Sequence, residues 1–559
     1  MKTLILKYAL QNAVKFNGKA SEGAVIGKIL SEKPELKEKI KDLMKDIKDT
    51  VKEVNSWTLE KQIHEIEKID PELLDNKKEE KKRELHELEN VHHGNVVMRF
   101  APNANGPLSL GRSRQALLNW FYVKKYKGKF ILRYDDTDPK GKYPLKDAYK
   151  WIENDLKFLG VNISKKVIQS SRLKIYYKYA ETVIKKNWAY ICTCDVKEYR
   201  KLRDKKIECP CRNLSVTEQL ERWKKMFTSY KEGEAVYRIK TNIMDSNPAA
   251  RDWPGFRIVD NKNNNHPLEK NAKVWPLLNF ASAVDDKLLG VTHIIRGIDL
   301  QISDVRQKYL YSYFNWNYPE TIYTGKLIFN DIKSTSKTRA LIKQGKLLGW
   351  DDPRLLTILA LKRRGFKAEA LSKFIFDLGM NKNNINVSFD TLSSYNKEEV
   401  DEKANRYFFV LNPVQIKVSN APKQKVELNL HPELRKKGRK FNTYENFLIE
   451  RKDFDMLNEN KLYRLMDCLN FTLEASKFTF HSRTHDEYKG KGERIMHWLP
   501  ENEKINVEVY LEDGSIVNGF GEKNLLKVKE NEVIQAERFG FLRLDKKLKN
   551  KLVFFFGHK

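Results

Sequence analysis

The spacing of apolar and polar positions changes several times along the chain, and each change predicts a different architecture. From about Ser31 to Val91, Leu36, Ile40, Leu43, Met44, Ile47, Val51 and Val54 recur at helical spacing among lysines and glutamates. That periodicity predicts amphipathic helices packing on one another. The opening "MKTLILKYALQNAVKF" reads as one more helix of this kind. No small-residue cleavage site follows it, and no apolar run reaches the ~20 residues a membrane span requires, so we expect a cytosolic chain with no membrane partner. The helical region is expected to end near "VHHGN".

At Val96 the pattern shifts to short apolar runs. "VVMRF" reads as a buried strand, a Pro/Asn/Gly-rich loop follows, and a helix is expected from about Arg112 to Tyr126. "KFILRYDDTDP" is a second strand that ends in acids. Strand, loop, helix, strand is the opening of a doubly wound α/β domain with a parallel sheet, in which ligands collect at the carboxyl ends of the strands. "FRIVD" and "HIIRG" are expected to resume that α/β pattern downstream. From "WDDPRLLTILALKRRGF" to about Asn405 the pattern is helical, and from "NRYFFVLNP" onward it is β-rich. "INVEVYLEDGSIVNGF" alternates around an Asp-Gly pair, a strong hairpin signal.

Composition narrows the function classes. The chain has 559 residues, too many for one core, so about three to five domains are expected. Hydrophobic residues make up 40%, which excludes global disorder. An excess of 105 Lys+Arg over 75 Asp+Glu, with 24 Tyr and 28 Phe, points to a polyanionic partner, nucleic acid ahead of membrane. Five cysteines do not make a disulfide scaffold. Four of them form two C-x-C pairs, Cys192/Cys194 and Cys209/Cys211, and four soft thiolates suit a closed tetrahedral site with zinc as the default ion. With no ligand drawn from any phosphate loop, such a metal is structural.

Two segments suit phosphate chemistry. In "RFAPNANGPLSLGRSR", Gly106 and Gly111 allow close backbone approach, and the helix that follows points its N-terminus at anions. More than two hundred residues later, Lys333, Ser334, Thr335, Ser336 and Lys337 form a basic, hydroxyl-rich loop. With "ILRYDDTDP", "WIENDLKFLGV", "YICTCD", "NPAARDWPGFRIV", "VDDKLLGVTHIIRG", "IKSTSK", "GWDDPRL", "LALKRRGF", "NRYFFV" and "RIMHWLP", all in order, the chain resembles the class I aminoacyl-tRNA synthetases, specifically glutamyl-tRNA synthetases of the archaeal type.

The resemblance implies a Rossmann-type catalytic core, glutamate and ATP with Mg²⁺ as substrates, and tRNA(Glu) as acceptor, with tRNA(Gln) left open as a second. It implies glutamate contacts from Arg99, Ala101, Asn103, Asp135, Ser282 and Arg296. ATP contacts are implied from Gly106, Pro107, Leu108, Ser109, Leu110, Gly111 and Arg112 and from Lys333 to Lys337. The implied catalytic groups are Ser109, Gly111, Arg112 and Lys337. The sequence departs from the family where a His–apolar–Gly–His core is usual and Ser109-Leu110-Gly111-Arg112 stands instead. Trp275 replaces a common tyrosine and Leu300 a common histidine, and the Lys/Ser loop is about one residue short before Ser334. The expected division is a helical region (1–95), the catalytic core in two halves (96–190 and 254–330), a zinc-containing acceptor-binding insert (191–253), a helical stem-contact region (331–404) and anticodon-binding β-barrels (405–559). Tyr407, Arg406 and Arg538 are expected to be exposed and of a kind that could stack on or pair with anticodon bases, with none of them assigned as a site. A monomer is expected, because no coiled-coil seam is visible. Two rival readings remain: a synthetase-derived tRNA-binding protein without activity, suggested by Ser109 and Arg112, and the sister glutamine enzyme, which shares Asp135. The C-x-C pairs and "IKSTSK" favour glutamate.

Overall fold

A computed structural model describes residues 2–15, 18–37, 40–70, 84–91, 95–329 and 335–559. The expected end of the helical region at "VHHGN" falls partly outside them. The chain divides into two compact units, residues 1–84 and 85–559. Among the described residues, no helix is long and apolar enough to cross a membrane.

The first unit holds four helices, α1 (Lys2–Lys15), α2 (Glu22–Glu32), α3 (Ile40–Ser56) and α4 (Leu59–Ile69). Their apolar faces close on one core that includes Ile5, Ala9, Ile29, Ile47, Val54 and Ile66. Ser21 and Thr58 cap α2 and α4 by accepting backbone N–H groups. Within the helical spacing read from Leu36 onward, Pro34 opens a 3₁₀ turn (Pro34–Lys37) and α3 is described from Ile40.

The second unit opens with the anticipated parallel sheet. Strands β1 (Val97–Phe100), β2 (Lys129–Tyr134) and β3 (Lys165–Ile168) are joined by helices α5 (Leu110–Lys125) and α6 (Ala148–Phe158). A third helix, α7 (Leu173–Lys185), leads into an antiparallel sheet of β4 (Ala189–Cys192), β5 (Val236–Ile239), β6 (Pro254–Ile258) and β7 (Val274–Pro276). This sheet carries α8 (Val196–Asp204) and α9 (Val216–Phe227) between its first two strands. Helix α10 (Leu278–Leu288) then returns the chain to the parallel sheet as β8 (His293–Gly297), α11 (Gln301–Tyr313) and β9 (Glu320–Thr324). The parallel order is β3-β2-β1-β8-β9. Strands added on opposite sides of β1 leave a crevice at the carboxyl ends of β1 and β8, the topological switch point where such folds bind ligands.

One strand reading needs correction. "FRIVD" does not rejoin the parallel sheet; β6 pairs antiparallel with β5 and β7, where Phe256 packs on Trp223, Tyr237 and Phe280. Short apolar strands do not announce their partners, and here aromatic cross-strand packing decides them. "HIIRG" does join the parallel sheet, as β8.

Helix α12 (Thr335–Lys343) precedes a helical region of α13 (Ile358–Arg363), α14 (Ala368–Leu378) and α15 (Phe389–Val400). The remaining chain forms two seven-stranded, barrel-like sheets that interleave in sequence. Strands Arg406–Tyr407 and Phe409–Leu411 belong to the sheet built from residues 504–558, while strands between Pro413 and Pro500 build the other, apart from Gln424–Asn429 and Gly438–Thr443, which pair as a separate two-stranded sheet. The expected hairpin is present: Lys504–Tyr510 pairs antiparallel with Ile516–Glu522, and Gly514 takes the positive φ of 85° in the turn.

Candidate active site

At the switch point lies a cavity of about 380 Å³, and all six residues expected to contact glutamate line it: Arg99, Ala101, Asn103, Asp135, Ser282 and Arg296. They arrive from β1 and the loop after it, the end of β2, α10 and β8. Arg99 is buried in a central strand, where an unpaired charge would be prohibitive, and Asp286 of α10 supplies the counter-charge. Arg99 Nε donates to Asp286 Oδ1 at 3.1 Å and Nη2 donates to Oδ2 at 3.3 Å. The side edge of the guanidinium is therefore locked, and its end faces the cavity. Burial opposes the charge of Asp286, but Arg99 and Arg133 outweigh it and hold its carboxyl at about 2.

Arg133, fully buried, ties the pocket together. It donates from Nε to Asp135 Oδ1 at 2.7 Å, from Nη1 to Asp286 Oδ1 at 2.6 Å and from Nη2 to Ser282 Oγ at 3.0 Å. Burial raises the Asp135 carboxyl while Arg133 and Arg99 favour its charge. Arg296 donates to Asp304 at 2.5 Å, and Tyr318 donates to the same carboxylate at 3.0 Å. Arg296 Nε and Asn103 Oδ1 are buried with no partner among the described residues, polar atoms left over on the cavity wall. At the rim, Arg257 of β6 donates to Asp138 at 2.6 Å, so the antiparallel sheet contributes to the same pocket.

The adjoining loop, residues 101–109, is held at several points along its length. Asp135 N–H donates to Pro102 O, Leu145 N–H to Ala104 O, and Asn103 Nδ2 to Lys142 O. Leu108 N–H donates to Asp155 Oδ2 at 2.9 Å, Ile358 N–H to Leu108 O at 2.8 Å, and Leu110 N–H to Leu356 O at 2.8 Å. Leu108 and Leu110 face the core with their N–H groups already bonded, so they offer a fixed backbone rather than donors. The helix expected from about Arg112 starts at Leu110, because Ser109 is its N-cap and accepts from Arg112 N–H at 3.3 Å. The Ser109 O–H remains a donor. Arg112 stands in the first turn with Nη1 on Asn105 Oδ1 at 3.3 Å. A Cβ built on Gly111 would meet nothing within 4 Å, whereas one on Gly106 would lie 3.0 Å from Trp350 Cη2.

Thr335, Ser336 and Lys337 form the first turn of α12; Lys333 and Ser334 lie outside the described residues. Thr335 packs beside Gly106, where the built Cβ would be 3.1 Å from Thr335 Cγ2. The first of the loops expected to share ATP thus neighbours the start of α12, the described part of the second.

Cys192, Cys194, Cys209 and Cys211 converge, with ligand atoms all within 4.8 Å of one another. Sγ–Sγ separations are 3.6 Å for Cys192–Cys209, 3.4 Å for Cys194–Cys209 and 3.8 Å for Cys194–Cys211. These are too long for disulfides and close to the ~3.8 Å edge of a tetrahedron with ~2.3 Å metal–sulfur arms. Arg222 Nη1 donates to Cys211 Sγ at 3.4 Å, a contact that favours the thiolate.

Residues 95–402 match the family described as tRNA synthetases class I (E and Q), catalytic domain. The chain belongs to this family. Residues 404–488 and 495–545 match its two anti-codon binding domains. The chain is 45% identical to the glutamate–tRNA ligase of Pyrococcus furiosus, covering 100% of this chain and 99% of the relative. It is 46% identical to that of Pyrococcus abyssi over 100% and 99%, and 41% identical to that of Methanocaldococcus jannaschii over 100% of both.

In this synthetase, several residues that build the site were not singled out from the sequence. Arg133 was legible in principle, because strand alternation puts it on the same face as Asp135. Asp155 stands at a core position of α6 beside Ile152 and Leu156, an acid on an apolar stripe. Burial pushes its carboxyl up to about 7, against the Leu108 N–H and Lys362, which favour the charge. Asp286 and Asp304 had no local signal. In the C-terminal sheets, Tyr407, expected to be exposed, is 4% accessible and packs in the core with Phe409 and Leu542. Arg406 and Arg538 line a cavity of about 360 Å³ with Arg439, and Arg538 is ion-paired with Asp453.

Proposed function

We infer that this chain is a glutamate–tRNA ligase. It activates L-glutamate with ATP and transfers the glutamyl group to the 3′ end of tRNA(Glu). The observation that carries the reading is the switch-point cavity, where the end of a locked arginine fork and a carboxylate face one ligand-sized space beside the nucleotide loop. Arg99, with Arg296 across the cavity, takes the side-chain carboxylate of glutamate. Asp135 takes the α-ammonium, and Ala101, Asn103 and Ser282 complete the wall.

In the first step a carboxylate oxygen of glutamate attacks the α-phosphorus of ATP, the bond to the bridging oxygen breaks, and pyrophosphate leaves. The N-terminal turn of α5, the Ser109 O–H and the Arg112 guanidinium face the phosphates from one side, and Thr335, Ser336 and Lys337 at the start of α12 from the other; Lys333 and Ser334, outside the described residues, are assigned to the same phosphates. Mg²⁺ bound with ATP neutralises polyphosphate charge. In the second step a ribose hydroxyl of the tRNA end attacks the acyl carbon and AMP departs. Arg112 and Ser109 replace two ring donors with a fixed cation and a hydroxyl, which supports charge stabilisation without a titratable group.

The four thiolates suit a structural zinc ion that staples the region between β4 and β5, which we assign to the acceptor arm of tRNA. The anticodon arm falls to the C-terminal sheets. The first 84 residues are nearly balanced in charge, so the cationic excess available to tRNA sits on residues 85–559. This role places the protein with translation in the cytoplasm. The test is aminoacylation of total tRNA with labelled glutamate or glutamine, with Arg112→Ala alongside. Charging by glutamate supports the reading; tight tRNA binding without charging by either amino acid overturns it. Charging of purified tRNA(Gln) with glutamate decides whether that tRNA is a second substrate.

A further inference from the structure

The first phosphate loop and helix α12 meet at one residue. Asn105 Oδ1 accepts from Arg112 Nη1 at 3.3 Å, while its backbone carbonyl accepts from Arg339 Nη2 at 3.0 Å. The same Nη2 donates to the Tyr143 carbonyl at 3.1 Å, and the guanidinium carbon lies 4.4 Å from the centre of the Tyr143 ring. Arg339 belongs to α12, two residues after Lys337 on the same nine-residue helix. Its Nε is buried without a partner among the described residues, an unfavourable state that this placement tolerates. Elsewhere α12 is held by ordinary packing, with Thr338 buried and Leu341 and Ile342 against Leu347, Leu355 and Ala360.

We propose that Arg339 is a positioning residue that sets the register between the two halves of the nucleotide site. By spanning from α12 to the carbonyls of Asn105 and Tyr143, it fixes where Lys337 stands relative to Arg112. Asn105 serves both arginines, its side chain holding Arg112 and its backbone Arg339, so that Arg112 and Lys337 keep one spacing. The inference rests on the nucleotide site assigned above and extends it to a residue outside both loops. Adenylate formation depends on both cations reaching one polyphosphate, and misplacement of such groups by about 1 Å can cost on the order of a hundredfold in rate. The glutamate cavity does not include Arg339, so amino-acid binding is expected to be unaffected.

The experiment is glutamate-dependent exchange of pyrophosphate into ATP, measured with tRNA present, for wild type, Arg339→Met, Arg339→Lys, Lys337→Ala and the Arg339→Met/Lys337→Ala double variant. Arg339→Met keeps the stem and is expected to lower kcat about tenfold to a hundredfold, with KM for glutamate within about twofold. Arg339→Lys, which keeps a cationic donor, is expected to recover part of the loss. If Arg339 acts through Lys337, the double variant is no worse than Lys337→Ala by more than about threefold. Unchanged kcat in Arg339→Met overturns the proposal, as does a double variant whose losses multiply. A parallel rise in glutamate KM with a lowered melting temperature also overturns it, because it marks a merely structural role. An inactive wild type removes the ligase reading and this inference with it; an active wild type with an equally active Arg339→Met removes the inference alone.

Discussion

Asp155→Asn is the most quantitative test of how the nucleotide loop is supported. The carboxylate sits beneath the loop, 2% accessible, with Oδ2 on Leu108 N–H at 2.9 Å. Its carboxyl is raised from 3.8 to about 7, chiefly by burial, so the folded protein holds the proton roughly three units longer than the unfolded chain does. The resulting stability is complete below about pH 4 and is lost as pH rises, with the loss finished just above pH 7. At ~1.4 kcal/mol per unit the full difference is at most about 4 kcal/mol. Asparagine keeps an acceptor for Leu108 and never ionises. Urea unfolding of both proteins should therefore coincide near pH 4, diverge in favour of the variant between pH 4 and 7, and reach a plateau by pH 8. A constant offset across that range, or a variant less stable at pH 8, would refute a buried, proton-retaining Asp155. Asp155→Leu, which removes the acceptor, should instead lower kcat by about tenfold at every pH through displacement of Leu108 and Ser109.

Asp286→Asn should destabilise the protein by about 3–5 kcal/mol and raise KM for glutamate, since it strips counter-charge from buried Arg99 and Arg133; denaturation and kinetics on one preparation check both. Gly106→Ala would set its Cβ 3.0 Å from Trp350 and 3.1 Å from Thr335, and should slow adenylate formation about tenfold while leaving tRNA binding intact, as a filter-binding assay would show. Freshly purified reduced protein should carry one zinc ion per chain, and Cys209→Ser should lose it; metal analysis without bound zinc would remove the structural-zinc assignment.

The local order of the catalytic core was legible because its signals are short-range. A compact apolar run, a Pro/Gly loop and a basic helix define β1, the loop and α5 within about thirty residues. The Asp513-Gly514 turn and the paired cysteines are likewise carried by adjacent residues. Ser109 was visible as a hydroxyl, and its place at the helix start is what made it an N-cap. Tertiary structure decided everything that depends on which distant groups share a low-dielectric space. It seated Asp286 between Arg99 and Arg133, put β6 in the antiparallel sheet, buried Tyr407 and joined the first phosphate loop to α12 through Asn105 and Arg339. The physical reason is the cost of burying charge and unpaired backbone. A local pattern can show that a residue is apolar or cationic, but whether a buried charge is tolerable depends on a partner that here lies up to two hundred residues or more away in the chain.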